Sequence, residues 1–472
     1  MKKFLMILAV AGIASTGFAQ TKLSLEEYLG QVREKGLDYR GSQASAEGLE
    51  KQSHQQDLIY APTLIASYGH MDDQSQQILP FNGNRTQADA VTLGLSNKLP
   101  FGPSISVGYS FNNITLSNSP FLTSPYYTVA PTASLSLPLF KDFGGIQTQA
   151  GVHKVQYQLE AAQKGAAFQR GQSLFNAKLA YWKLALVRSE LNIRQDTLER
   201  SQKIWEWTKR RVARNLADPP DALQAEAAVR VAELDLQMAK ERERTARFQF
   251  NRFRAVEKED VPEQLGTLEE SLGSLKAEVP SAPPDRLDLK AVEDQAKSQK
   301  AAYDEASQNI YPDITAFASW TGNGLDKNNQ FSAANDTAFQ GLYPTYKFGA
   351  QFNLPLDVFT AARVSEGYKQ NYEGAQMTYE DKQISVNQEW KDLAGHLQDV
   401  DKRLGMAAQI EEIQKNKANQ EKTRLELGRT TQFQLLSFEN DYALARLNRL
   451  SLILEKLSTL AQAQWWLTTE KQ

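Results

Sequence analysis

His54, His70, His153 and His396 are the only imidazoles in this chain, and none begins a His-Glu-x-x-His zinc motif. There is no cysteine, which removes thiolate metal sites, disulfides, a Cys nucleophile and a lipid-modified N-terminal Cys. No Gly-Lys dipeptide opens a phosphate-cradling loop, and no Gly-x-Ser-x-Gly elbow presents a hydrolase serine. Asp and Glu are abundant, but they fall among Lys and Arg on helical faces, where solvation and intrahelical pairing occupy them. The residues spell no catalytic constellation, no cofactor and no metal site, so the expectation is a protein that is not an enzyme. What remains to be read is the pattern of elements along the chain.

The 472 residues are 41% hydrophobic and 23% charged, with a formal net charge of −3 and a mean hydropathy of −0.50. Such a chain is not a bundle of lipid-spanning helices, and its charge gives no electrostatic case for nucleic acid. Met1-Lys2-Lys3 precedes an apolar run from Phe4 to Ile13, with Gly17 and Ala19 placed for a cut after Ala19. That is the form of an export signal over residues 1–19, shorter than the roughly 20 residues of a membrane-spanning helix. No later segment approaches about 18 uninterrupted apolar residues. An exported chain of this kind is periplasmic, secreted, or an outer-membrane β-barrel.

Two kinds of sequence alternate behind the signal. Residues 24–59, 146–213, 221–256, 284–310, 363–426 and 432–468 are rich in Ala, Gln, Glu, Lys, Arg and Leu and nearly free of Pro, which predicts helices. The stretches 146–213 and 363–426 would extend to about 100 Å as single helices. Leu184, Val187, Leu191, Arg194, Leu198, Ser201, Trp205, Thr208 and Val212 follow at steps of three and four, a coiled-coil-like seam with polar interruptions that requires partner helices.

In the zones 62–140 and 312–359, small or polar residues alternate with apolar ones. Ile105, Val107, Tyr109 and Phe111 alternate with Ser104, Ser106, Gly108 and Ser110, and Tyr346, Phe348, Ala350 and Phe352 with Lys347, Gly349, Gln351 and Asn353. This predicts strands with one apolar and one polar face. Runs of about nine to eleven residues suit a tilted bilayer-spanning strand. The polar stretches 72–88, 114–128 and 322–342 read as outward loops, and Tyr109, Tyr126, Tyr127, Trp320 and Tyr343 as an interfacial girdle. A soluble β-sandwich alternates in the same way and stands as the alternative.

The chain also reads as two copies of one unit. Leu37-Asp38 precedes Pro62 by the same interval that separates Leu287-Asp288 from Pro312. Each proline ends a helix and opens a strand zone, since it has no N–H to give the helix. The zones close at Leu137-Pro138-Leu139 and Leu354-Pro355-Leu356, and each then launches a long helix. Asn215 and Gly428, residue types that tolerate a left-handed backbone, stand at equal spacing ahead of a glutamate, Glu226 and Glu439, and mark two tight helix-to-helix turns. The first strand zone, Pro62 to Pro138, is longer than the second, Pro312 to Pro355. The excess is enough for one extra hairpin over 89–113, and hence four strands against two.

The export signal, the start Leu23-Ser24-Leu25-Glu26-Glu27-Tyr28-Leu29, the Leu-Pro-Leu boundaries and the two hairpins resemble the TolC-type outer-membrane efflux family. Arg211 to Leu216 with Asp221 to Glu226 is similar to that family's first hairpin tip, and Leu427-Gly428 through Leu435-Leu436 to its second. The resemblance implies a mixed α and β fold: a transmembrane β-barrel continuous with a long antiparallel α-helical barrel, built from an internal two-fold repeat in a homotrimer. The segments would be a signal peptide (1–19), N-terminal helices (20–61), barrel strands (62–140), a helical hairpin (141–256), an equatorial linker (257–283), helices (284–311), barrel strands (312–359) and a second hairpin (360–472).

The function the resemblance implies is a passive exit duct of a tripartite efflux or type I secretion system. Its partners would be a periplasmic adaptor, an inner-membrane pump and outer-membrane lipid, with a periplasmic helical scaffold that conducts nothing as the rival reading. The adaptor would dock on the tips, here Arg214, Asn215, Leu216 and Ala217 in one and Leu427, Gly428, Arg429 and Thr430 in the other. The family's carboxylate ring beyond the second tip is not kept: Gln434 and Ser437 stand at those positions, and Asp221 is the acid left as an aperture candidate. Asp221 also reads as a helix N-cap ahead of Leu223.

Overall fold

A computed structural model of the chain describes residues 22–75, 84–117, 125–275, 283, 285–328, 330–354 and 356–467. The export signal 1–19, the loop residues 76–83 and 118–124, the linker residues 276–282 and Pro355 lie outside the described residues.

In chain order, β1 (Lys22–Leu23), α1 (Leu25–Lys35) and α2 (Leu37–Ser53) lead through a 3-10 turn to β2 (Thr63–Asp73), β3 (Arg85–Lys98), β4 (Ser104–Ser117) and β5 (Tyr126–Pro138). The 67-residue α3 (Ile146–Val212) turns back into α4 (Pro219–Phe253), followed by β6 (Gln264–Leu265) and α5 (Leu268–Ser274). Then come α6 (Leu287–Ser307), β7 (Asp313–Gly322), β8 (Gly324–Asp326), α7 (Phe331–Phe339) and β9 (Pro344–Asn353). The 69-residue α8 (Val358–Glu426) turns back into α9 (Gln432–Trp466).

Several boundaries differ from the sequence reading, each for a local reason. The helical stretch 24–59 breaks at Gly36, where a Cβ would lie 2.5 Å from the carbonyl oxygens of Val32 and Phe253. The polar stretch 322–342 is not a bare loop: it holds β8 and α7. The flanking polar stretches are shorter than expected because β3 and β4 extend to 14 residues each. Within the linker, Thr267 and Glu270 form a reciprocal capping box that starts α5.

The chain divides into two compact units. The first comprises Met1–Ala44, Ala166–Arg286 and Val386–Gln472. Its largest core gathers Tyr28, Tyr181, Trp182, Phe250, Leu268, Ile453 and Leu457, all buried. Tyr28 stacks on Phe250 at 4.2 Å between ring centroids and donates its hydroxyl to the Phe250 carbonyl at 3.0 Å. Tyr181 donates to the Leu23 carbonyl at 2.7 Å and accepts from the Gly266 N–H at 2.9 Å, tying together the strand pair β1 and β6. Along the predicted seam, Leu184, Val187, Ser201 and Thr208 are buried, while Leu191, Arg194, Leu198, Trp205 and Val212 are half-buried.

The second unit comprises Ser45–Gly165 and Leu287–Ser385. It carries an antiparallel sheet in the order β2-β3-β4-β5-β7-β9, with β8 paired to β5. Among the described residues the sheet of one chain is open: β2 and β9 are its edges. A closed barrel within one chain is therefore not what forms, and the reason is strand number, because closure around a side-chain-filled interior takes about eight. At the helix end, Gly145 has φ 78° and a Cβ there would collide with the Pro100 carbonyl, so the turn entering α3 tucks against the β3–β4 turn. Asp142 accepts the Thr148 N–H at 2.9 Å and an ammonium hydrogen bond from Lys98 at 2.9 Å, fixing that entry.

Candidate functional site: two hairpin tips and a two-faced sheet

The α3–α4 and α8–α9 turns have the same construction. At the first, the Asn215 N–H reaches the Val212 carbonyl and the Leu216 N–H the Arg211 carbonyl, both at 2.9 Å; at the second, Gly428 reaches Leu425 and Arg429 reaches Arg424, again both at 2.9 Å. This is the Schellman arrangement, and it places Asn215 at φ 60° and Gly428 at φ 69°. Asp218 and Thr431 then serve as N-caps of the returning helices.

All of the expected docking residues sit on these turns. Arg214, Asn215, Leu216, Leu427, Gly428 and Arg429 are exposed, whereas Ala217 and Thr430 are half-buried. Leu216 is 60% and Leu427 62% exposed. Arg211 steadies the first apex by donating to the Leu216 carbonyl at 2.9 Å while its guanidinium lies 4.5 Å over Trp207.

The second apex has an anchor that no sequence pattern announced. Glu421 is 4% exposed at its side chain and accepts from Arg424 at 3.1 Å and from the Thr430 hydroxyl. An acid one turn before an arginine on a helix is ordinary, so nothing in the sequence marks it. A further tie links the hairpins, between Arg200 on α3 and Glu439 on α9 at 3.0 Å.

The aperture candidates Asp221, Gln434 and Ser437 lie in the first two turns of α4 and α9, and all three are exposed. The N-cap reading of Asp221 is corrected: Asp218 is the N-cap, Pro219 takes the first helical position, and Asp221 lies in the first turn. Proline decides this, since its fixed φ and missing N–H suit the position right after the cap.

The strand register sorts the sheet into two faces. Leu64, Leu95, Val107, Ala133, Trp320 and Tyr346 form one cross-strand row, and Tyr68, Val91, Phe111 and Val129 form another on the same side. The opposite side is made mostly of Ser, Thr, Gly and Ala. Leu95, Val107, Tyr346 and Phe348 remain exposed, so the apolar side is uncovered over most of its extent. Of the expected girdle, Tyr109, Tyr127 and Trp320 share the apolar side, but Tyr126 falls on the polar side, paired with Ile114. At the loop end α7 covers the apolar side: Ala334 and Ala338 are buried against Val129, Phe331 meets Phe111 edge-on at 5.1 Å, and Tyr109 donates to Asn335 at 2.9 Å. Gly322 and Gly324 make room for it, since a Cβ at either would collide with the carbonyl of Ala338 or Ala334.

Residues 281–462 match the family described as outer membrane efflux protein. The whole chain is similar in fold to three solved outer-membrane channels. The channel OprN aligns with a TM-score of 0.67 at 15% identity, covering 94% of this chain and 89% of that one. Campylobacter jejuni CmeC gives 0.66 at 12% identity, covering 100% and 95%. The open state of Neisseria gonorrhoeae MtrE gives 0.64 at 17%, covering 97% and 93%. No curated protein matches the chain in sequence. The structural likeness gives the chain its mixed α and β fold.

Proposed function

We propose that three copies of this chain, exported by cleavage of residues 1–19, close into one passive exit duct of the outer membrane efflux type that residues 281–462 match. The observation that carries the reading is the sheet: two unpaired edges, β2 and β9, flank a wall whose one side is apolar and uncovered and whose other side is polar. Unpaired edges and an apolar face in water are both unstable, and edge-to-edge closure inside a membrane resolves them together. Six strands from each of three chains give an eighteen-stranded barrel, in the size range at which barrels enclose an aqueous lumen. The helices support the same assembly, since Val231, Leu234 and Met238 on α4 and Met406, Ile410 and Ile413 on α8 leave apolar seams exposed. A second copy is the occupant those seams fit.

The duct would serve a tripartite efflux or type I secretion system, with an inner-membrane pump supplying the energy. The exposed apices around Leu216 and Leu427, rimmed by Arg214 and Arg429, are where a periplasmic adaptor would dock. The test is recovery and conductance. The full-length protein should fractionate with outer membranes, run as a trimer in detergent and conduct in planar bilayers. Recovery as a soluble periplasmic monomer would instead select the helical scaffold.

A further inference from the structure

Away from its strand ends the polar side of the sheet carries a single charge. A single cross-strand row reads Thr63, Ser96, Ser106, Ser134, Ser319 and Lys347 from β2 to β9. Five hydroxyls are followed by one ammonium, and the Ser106 and Ser134 hydroxyls are 2.5 Å apart. The adjacent row, Ile65, Gly94, Gly108, Thr132, Thr321 and Thr345, has no charge. The remaining charges on this side sit at strand ends: Asp73 at the loop end, and Lys98 and Asp313 at the helix end, with Lys98 held by Asp142 at 2.9 Å. Lys347 is exposed, and among the described residues no carboxylate pairs with it.

Its place on β9 matters. As an edge strand, β9 would meet β2 of a neighbouring copy on closure, and the polar side of β2 is Thr63, Ile65, Ser67, Gly69 and Met71 before Asp73 is reached. The middle of the neighbour's wall therefore brings no acid to neutralise the lysine.

We propose that Lys347 is a specificity-determining residue that gives the lumen of the barrel a preference for anionic solutes. The proposal rests on the channel reading above. Away from the strand ends this wall is lined by hydroxyls that solvate solutes of either sign equally, so there Lys347 is the charge that discriminates, and symmetry would set three ammoniums at one level. Ions feel that charge over a Debye length, about 10 Å in about 0.1 M salt but about 3 Å in about 1 M.

The experiment measures reversal potentials of the full-length protein in planar bilayers across a KCl gradient, at both salt concentrations. Lys347→Gln is expected to lower the chloride-to-potassium permeability ratio about twofold near 0.1 M and to leave it nearly unchanged near 1 M. Ser319→Lys, which adds a charge to the same row, is expected to raise the ratio. A Lys347→Gln channel that conducts normally with the wild-type ratio at low salt overturns the role of Lys347. A wild-type protein that never conducts overturns the channel reading itself, a distinct outcome.

Discussion

Asn215 and Gly428 hold the same left-handed backbone, φ 60° and 69°, at the same step of two hairpin turns, each immediately before an N–H that bonds back to an arginine carbonyl at 2.9 Å. One turn uses a glycine and the other an asparagine, the two residue types that accept this geometry most cheaply. A β-branched residue does not. Gly428→Val and Asn215→Val should each destabilise the purified protein by about 1–2 kcal/mol, whereas Asn215→Gly should be close to neutral. Thermal melts in detergent give the comparison, and an Asn215→Val protein as stable as wild type would mean that the turn conformation is not retained.

Glu421 anchors the second apex by accepting from Arg424 and Thr430 while nearly inaccessible to water. Removing it strands the Thr430 hydroxyl and frees Arg424, which is exposed and regains water. Glu421→Ala should therefore cost about 1–3 kcal/mol and Glu421→Gln less, because the amide oxygen still accepts. Proteolysis confined to the α8–α9 turn reports the loss directly, and unchanged protection in the alanine variant would remove the anchor role.

Glu439 predicts a pH response. Burial pushes its carboxyl above the ordinary value of 4.5, and Arg200 and Lys422 offset that only in part. A group raised in the folded state contributes stability below its unfolded value and loses it as pH rises through the folded value. The packing of α3 against α9 is thus expected to be firmest at about pH 4.5 and below and to weaken above it, with Glu439→Gln flattening that part of the slope. Melting temperatures across about pH 4 to about pH 7 decide the matter: equal slopes in the two proteins would exclude Glu439 as the source.

The two sides of the sheet should differ in what they tolerate. Leu95 lies on the apolar side and Ser96, its neighbour, on the polar side. Leu95→Arg should cost about 2–4 kcal/mol toward the middle of a bilayer and reduce recovery in outer membranes, while Ser96→Arg should assemble at near wild-type levels. Equal recovery of the two would contradict the face assignment.

Gly324→Val should detach α7, since even a Cβ at this position collides with the Ala334 carbonyl. The cost of such overpacking is about 1–3 kcal/mol, and the expected sign is faster protease cleavage within 331–339. A variant that keeps wild-type resistance there would show that α7 is held in another way.

The sequence by itself determined whatever a short period can report. Ile105, Val107, Tyr109 and Phe111 against Ser104, Ser106, Gly108 and Ser110 lie within β4, because alternation is a property of neighbouring residues. The proline-free runs became α3 and α8, and Asn215 and Gly428 turned the chain, because helix propensity and a permitted left-handed φ are also local. Tertiary structure alone decided the rest. The segment 331–339 has a loop's composition and is helical because Val129 and Phe111 give its apolar residues a surface across a distance no periodicity spans. Glu421 rather than an exposed acid secures the second apex, through contacts made only once the helices have turned. Alternation told which residues share a side of a strand; it took the register of six strands to line up Ser96, Ser106, Ser134, Ser319 and Lys347, because pairing joins residues far apart in the chain and leaves no mark on either segment alone.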